Sequence, residues 1–303
     1  MNDAAVVAEA REVLRDGGLR GSFLVRDLDS GAELGIEADL VWPVASLVKV
    51  PLAVATLERA ARGELDAAAP VTVEPGRVST PGPTGLSRFR HPATIAVEDL
   101  AYLAVAVSDS TAADALLQLT PPDQVTAELR RLGVGGISVR FLMRELASTP
   151  AELLDPADLH VAHSLAIAGA TPTGGHVVAQ LDIARANTGS ARAFVDLLQA
   201  LWRPSVVEPA VAARVRELMG ATVMRHRLAP DFSSDASLWS SKTGTLLNLR
   251  HEIGVVEHAD GQAFAVAALT ESQVAAAVQP EAEALMAQVA RMLRDQLRRF
   301  DRR

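Results

Sequence analysis

Three short runs carry the residue types that acyl chemistry needs, and they occur in one order: Ser46-Leu-Val-Lys49, Ser108-Asp109-Ser110 and Lys242-Thr243-Gly244. Residues three apart share a helix face, so Ser46 and Lys49 are expected to touch if a helix starts near Ser46. A serine hydroxyl becomes a useful nucleophile when a neighbouring base takes its proton. A lysine can be that base only where burial or nearby positive charge lowers its pKa, and Lys242 folded back beside Lys49 and Ser108 would supply such a charge. A helix N-terminus at Ser46 adds its dipole and backbone N–H groups to steady a developing oxyanion. Taken singly, each run has an ordinary structural reading: a cap with a solvated lysine, an N-cap for the helix after Asp109, and an exposed strand end. Their joint occurrence, each on the element type the chemistry requires, favours a serine nucleophile.

The elements that must position these runs follow from the apolar pattern. Residues 4–14 have helical spacing and stop at Gly17-Gly18. Two β-rich runs, 21–28 and 32–36, flank Asp29-Ser30-Gly31 and read as a hairpin. A buried, Ala-rich helix begins near Ser46 and ends at Gly63, and 71–92, rich in Pro, Gly, Ser and Thr, is expected to be loop. Helices are expected over 97–107, 112–119, 125–132, 191–202 and 211–219, with 138–187 irregular and 168–176 a surface excursion. Strand-like runs then cover 237–242, 251–256 and 262–269, the last two joined by Ala259-Asp260-Gly261, before a closing helix over 280–300. The pattern predicts one α/β (α+β) domain over 1–303, an antiparallel sheet flanked by helices from both termini with an inserted all-α lobe. Its α/β lobe takes 1–45 and 203–303, and its helical lobe 46–202.

With these motifs in order, the chain resembles the class A branch of the serine β-lactamase and penicillin-binding protein superfamily, whose signature is Ser-x-x-Lys, Ser-Asp-Asn and Lys-Thr-Gly. The likeness extends along nearly the whole chain. Val41-Trp-Pro-Val-Ala-Ser46-Leu-Val-Lys49-Val is similar to the start of the family's nucleophile helix, Gly63-Glu64-Leu65-Asp66 to its exit, and Arg250-His-Glu-Ile-Gly254-Val-Val to the strand after Lys-Thr-Gly. The resemblance implies that Ser46 is acylated, Lys49 is its proton partner and Ser108 a proton shuttle. It also implies that Lys242, Thr243 and Arg250 hold a substrate carboxylate, that Gly244 belongs to the same strand motif, and that the N–H groups of Ser46 and Thr245 form the oxyanion hole. The third residue of the middle motif is Ser110 where the family has asparagine, and its shorter side chain weakens contacts to Lys49 and to a substrate amide. Aligning Arg140-Phe-Leu-Met-Arg144-Glu145 with the family's deacylation loop makes Glu145 the candidate water-activating base. Thr149 stands where a supporting asparagine belongs, and Glu152 is a second candidate.

Composition excludes several other classes. The 303 residues are 49% apolar, enough for a substantial core, and 4% aromatic, which disfavours a large aromatic ligand cage. A net charge of −8 argues against nucleic acid or an anionic membrane as partner. The basic residues Arg291, Arg294, Arg298, Arg299, Arg302 and Arg303 read as a solvated last helical turn. The absence of cysteine removes disulfides, thiolate catalysis and Cys-bound metals. His160 and His163 lack an HExxH context and are read as surface or loop residues, so neither metal nor cofactor is expected. Gly133-Val-Gly135-Gly136 lacks the context of a nucleotide fingerprint and is read as loop, and Arg225-His226-Arg227 as a solvated turn. The first fifteen residues do not form a basic region followed by an apolar signal core, which gives a cytoplasmic expectation. The substrate expected is a small carboxylate-bearing molecule, a β-lactam or a related amide or ester. Two alternatives stay open: a cytoplasmic esterase or amidase on the same scaffold, and a non-catalytic homologue that binds a carboxylated ligand. Oligomeric state is not legible.

Overall fold

Asn2 caps the first helix, α1 (Asp3–Asp16), by accepting the Ala5 N–H, and the helix stops where Gly18 takes a left-handed conformation. The computed structural model describes residues 2–74, 84–146, 148–169, 171, 174–276 and 278–300. The expected hairpin forms from β1 (Leu19–Asp27) and β2 (Glu33–Ile36), with Phe23 opposite Ile36. At the other end of the chain, β7 (Ser237–Leu246), β8 (Leu249–His258) and β9 (Ala263–Ser272) form a meander whose second turn uses Gly261 at φ +91. The two ends meet in one antiparallel sheet of order β2-β1-β9-β8-β7, with Leu19 opposite Ser272 and Asp27 opposite Phe264. The strand β7 that carries Lys242 is thereby left at the sheet edge.

Both faces of the sheet are covered. α1 and α12 (Pro280–Phe300) pack on one face and α9 (Ala191–Trp202) on the other. The expected lobe boundary at 202 falls at the end of α9, whose Phe194, Leu197 and Leu198 are buried in a core that the sheet shares with the helical lobe. The helical lobe proper contains α2 (Lys49–Ala61), α3 (Val97–Ala106), α4 (Ser110–Leu119), α5 (Pro122–Arg131) and α10 (Pro209–Gly220). It is not all-α. β4 (Pro70–Val73) and β5 (Ala93–Ala96) form a small ladder with Val71 opposite Ile95, where loop was expected from 71 onward. A run of four residues acquires strand character only from a partner more than twenty positions away. Of the rest of that expected loop, 75–83 lies outside the described residues and 84–92 contains a 3-10 turn, Gly85–Arg88.

The stretch 138–187 is more regular than its composition indicates. It contains α6 (Met143–Leu146), α7 (Pro150–Leu153) and α8 (Leu159–Ala168). α8 reads Leu-His-Val-Ala-His-Ser-Leu-Ala-Ile-Ala, apolar on nearly every side, so no helical period marks it. Of the 168–176 excursion, 170, 172 and 173 lie outside the described residues. The segment returns to the body through β6 (Thr188–Ser190), which pairs with β3 (Val41–Pro43) immediately before Ser46.

Two further expectations are corrected. His160 is exposed as expected, but His163 is buried on the inner side of α8. The arginines of α12 are not simply solvated: Arg291 pairs with Asp231, Arg298 with Asp260, and the buried Arg294 lies 5.1 Å from the centroid of the Phe232 ring. The Arg299 side chain, Arg302 and Arg303 lie outside the described residues. No described helix is long and apolar enough to cross a membrane.

Candidate active site

Ser46 lies in a 3-10 turn, Ala45–Val48, one step before α2 rather than within it. Backbone pairing on both sides holds this turn: the Val44 N–H donates to Asn187 O at 2.9 Å and the Leu47 N–H to Val44 O at 3.0 Å. Ala45 is driven to φ +47, a left-handed conformation of the kind that costs about 1–3 kcal/mol outside glycine and persists where its surroundings impose it. From the sheet side, His251 donates through Nε2 to Pro43 O at 2.9 Å while its Nδ1 accepts the Thr270 N–H at 3.0 Å. Burial takes the His251 pKa down to about 4, so the ring is neutral and its tautomer is set by these two bonds. Gly244 completes the contact. A Cβ there would stand 2.9 Å from Val44 O and 3.1 Å from Leu47 Cγ, so only glycine lets the edge strand lie this close to the Ser46 turn.

Both lysines of the motifs are completely buried and both reach one hydroxyl. Lys49 Nζ donates to Ser108 O at 2.6 Å, to Ser108 Oγ at 3.3 Å and to Ser110 Oγ at 3.1 Å. Lys242 Nζ donates to the same Ser108 Oγ at 2.9 Å and to Thr243 O at 2.8 Å. Among the described residues the Lys49 amine has no hydrogen bond to Ser46, and its partners are the two serines of the middle motif. Ser110 nevertheless keeps the contact to Lys49 that its shorter side chain put in question. Burial lowers the Lys49 pKa to about 7, against the opposing pull of Asp109 and Asp114. Lys242 is lowered well below the ordinary lysine value, by burial first and then by the charges of Lys49 and Arg227. Desolvation, rather than the neighbouring lysine, is thus what prepares Lys49 to accept a proton near neutral pH. Ser108 holds its place at φ +62, a further left-handed non-glycine residue at the centre of the cluster.

The central residue of the middle motif has a structural task. The buried Asp109 carboxylate caps α4 by accepting the N–H groups of Thr111 and Ala112 at 2.9 and 3.1 Å, and it also takes the Leu86 N–H at 2.5 Å. The cap reading is therefore correct for Asp109, while the serines on either side face the lysines. Asp114, one turn into α4, is a buried acid that no motif marked. It accepts the N–H groups of Met143 and Arg144 at 2.6 and 2.9 Å, pinning α6 to α4, and its burial raises its pKa. A lone acid in the run Ala112-Ala-Asp-Ala-Leu-Leu117 was the available signal.

Among the described residues no hydrogen bond joins Glu145 to this cluster. Its exposed carboxylate accepts the N–H of Leu142 at 3.2 Å, and it lines an open pocket of about 450 Å³ to which Ser46, Lys49, Ser108 and Lys242 contribute nothing. Thr149 is buried beside α7, and the Glu152 side chain lies outside the described residues. On the other side of the edge strand, Arg250 is turned into the protein. Its Nη1 donates to Leu247 O and Leu249 O at 2.5 and 2.8 Å, and burial lowers its pKa to about 10. Arg227, expected in a solvated turn, is also buried: it donates to Gly244 O, His251 O and Thr245 Oγ1 at 2.9, 2.8 and 2.6 Å, and its Nε to Glu283 at 3.0 Å. It braces the Lys-Thr-Gly strand from behind, while Arg225 and His226 are exposed. Thr245 is exposed at the strand end and Thr243 is buried.

Chemically, the site sets the half-buried Ser46 three residues before an amine poised near neutrality, beside a hydroxyl shared by two buried lysines and further buried cations. A family model described as "Beta-lactamase enzyme family" matches residues 5–297. The beta-lactamase regulatory protein BlaB of Streptomyces cacaoi is 62% identical over 311 residues, spanning 99% of this chain and all of that one. Among solved structures, a beta-lactamase from Chitinophaga pinensis superposes with a TM-score of 0.77 at 17% identity, covering 97% of this chain and 99% of its own. A point mutant of PBP-A, solved as an acyl-enzyme complex with penicillin G, superposes with a TM-score of 0.74 at 19% identity, covering 98% and 97%. These two likenesses establish the fold, and the family match extends over almost the entire sequence: the chain belongs to the beta-lactamase enzyme family.

Proposed function

We propose that Ser46 accepts the acyl group of a carboxylated β-lactam, or of a related amide or ester, and that the acyl-enzyme is long-lived, so that the protein acts more through its occupied state than through turnover. The observation that carries this reading is the split between the two half-reactions. Lys49, near neutrality, and the bridging Ser108 hydroxyl are assembled beside the Ser46 turn, whereas Glu145 opens onto a different pocket and is engaged with its own helix. In acylation the Ser46 oxygen bonds to the carbonyl carbon, the C–N bond breaks, and the serine proton passes through Lys49 and Ser108 to the departing nitrogen. The N–H groups of Ser46 and Thr245 take the oxyanion, and Lys242, Thr243 and Arg250 supply the field for the carboxylate. A general base acts within hydrogen-bond reach of its water, directly or through one further water, and among the described residues no hydrogen bond joins Glu145 to this cluster. The name of the Streptomyces cacaoi relative, a regulatory protein, is consistent with an enzyme fold used for sensing.

Timed intact-mass measurement with penicillin G and with a chromogenic cephalosporin tests the proposal. One adduct on Ser46 that persists, and is absent from Ser46→Ala, is expected. Rapid turnover without accumulation overturns the long-lived intermediate. No adduct with either compound, together with hydrolysis of simple esters, transfers the reading to an esterase or amidase. A second reading is favoured by the Lys49 amine being committed to Ser108 and Ser110 rather than to Ser46: reversible binding of a carboxylated ligand without acylation. Saturable binding of penicillin G with no mass change, equal in Ser46→Ala, would establish it.

A further inference from the structure

The long segment between Arg140 and Asn187 leaves the body and returns to it at one neck. There the Asn187 side chain accepts the N–H groups of Arg140 and Phe141 at 2.7 and 3.1 Å, and Arg140 Nη1 donates to Ala186 O and Thr188 Oγ1. Just beyond the neck the outgoing arm, with Arg140, Glu145 and Ser148, faces the returning arm, with Gln180 and Arg185, across the open pocket of about 450 Å³. Gln180 already ties the two arms, its Nε2 donating to Glu145 O at 3.0 Å and Ser148 O at 2.9 Å. Gln180 also lines the pocket, and among the described residues its Oε1 accepts no hydrogen bond.

The charge of this lining is opposite to that of the protein. The chain carries −8 overall, yet two guanidinium groups and one carboxylate border the pocket, and the carboxylate is partly spent on the Leu142 N–H. Among the described residues the Arg185 side chain has no hydrogen bond or ion pair, and the Arg140 side-chain nitrogens other than Nη1 have none. A guanidinium held at a concave surface with its donors uncommitted suits an oxyanion, which it can grip in a forked geometry. The volume falls within the roughly 300–1,000 Å³ range of small-molecule sites.

We infer that the pocket between the two arms is a second ligand site, separate from the Ser46 centre, for a small molecule bearing a carboxylate or phosphoryl oxyanion and at least one O–H or N–H donor. Arg185 and Arg140 take the oxyanion, and the Gln180 carbonyl takes the donor. An occupant bridges both arms and so stiffens the segment that carries α6. Through the neck, the same segment meets the nucleophile turn, since Asn187 O receives the Val44 N–H.

The test is a backbone-amide NMR titration of the full chain with inorganic phosphate and, separately, with glycolate, which pairs a carboxylate with one hydroxyl. Saturable shifts at Ser148, Gln180 and Arg185 with at least one probe are expected, and the tighter probe assigns the oxyanion as phosphoryl or carboxyl. Binding is expected to weaken by roughly tenfold or more in Arg185→Glu and by less in Arg185→Gln. Arg185 is exposed and holds nothing in place among the described residues, so both variants are expected to keep the wild-type melting profile. Shifts confined to the amides of Ser46, Ser108 and Thr245, or affinity unchanged in Arg185→Glu, would place the anion in the catalytic cleft and overturn the inference. Absence of saturation with both probes overturns it as well. None of these outcomes depends on whether Ser46 is acylated.

Discussion

The reactivity of Ser46 is expected to follow the protonation of Lys49, and the size of the effect follows from burial. With a pKa of about 7 in place of the ordinary 10.5, Lys49 is roughly 90% neutral at pH 8 rather than roughly 0.3%, about 300-fold more free base. Some of that gain is offset because a weaker base pulls less strongly on the serine proton. The rate of fluorophosphonate labelling of Ser46 is therefore expected to climb about tenfold per pH unit below about 7 and to level off above it. The amine itself can be followed by the Cε resonances of 13C-lysine-labelled protein, with Lys49→Met to assign the signal. Stability must change in the same pH window. Unfolded lysine titrates near 10.5 and folded Lys49 near 7, so between those values the unfolded chain binds more protons and stability rises with pH. The cost of burying the ammonium, on the order of 5 kcal/mol, is fully present below about pH 7 and is relieved as pH rises towards 10.5. Lys49→Met is accordingly expected to gain stability relative to wild type at pH 6 and to lose that advantage by pH 10. A labelling rate that still climbs tenfold per unit above pH 9, with a Lys49 Cε midpoint also above 9, would refute the idea that desolvation activates this lysine.

Gly244→Ala is expected to force the edge strand away from Val44, and a shift of about 1 Å at a reacting centre costs on the order of a hundredfold in labelling rate, with a loss of about 1–3 kcal/mol in stability from overpacking. An unaltered rate would mean that the close approach is not needed. Arg227→Met strips the brace behind Gly244 and leaves Glu283 short of a buried partner, so a loss of about 3–5 kcal/mol in urea unfolding is expected, and a loss below about 1 kcal/mol would contradict a bracing role. His251, at about 4 against an unfolded value of 6.5, contributes stability that is lost as pH falls from 6.5 through 4. The acid-induced loss is expected to be about 3 kcal/mol smaller in His251→Gln, and identical acid profiles would rule out this histidine as the cause.

Much of the fold was legible because local periodicity and turn chemistry agreed with the final structure. The hairpin around Asp29-Ser30-Gly31, the meander turn at Gly261 and the Asn2-capped first helix each follow from a few adjacent residues. The ladder of β4 and β5 and the apolar helix α8 were not, because neither a four-residue run nor an all-apolar decamer has a period that separates its own state from the alternatives. The space that the Glu145 side chain faces was not legible either, for a related reason. Alignment fixes where a residue stands in the chain, but the course of the forty-odd residues that follow decides which space it faces.

Residue identity by itself determined the chemistry on offer: a serine, two lysines and a bridging serine in the order of an acyl-transfer centre, with no cysteine to suggest another. Only the tertiary structure decided that both lysines are sealed from water and converge on Ser108, that Asp109 is a cap, and that Arg227 lies behind the edge strand. The reason is physical. Sequence spacing governs contacts within a turn or a hairpin, whereas the pKa of Lys49, the need for glycine at 244 and the neutrality of His251 arise from atoms brought together from opposite ends of the chain, where burial removes the water that would otherwise make each group ordinary.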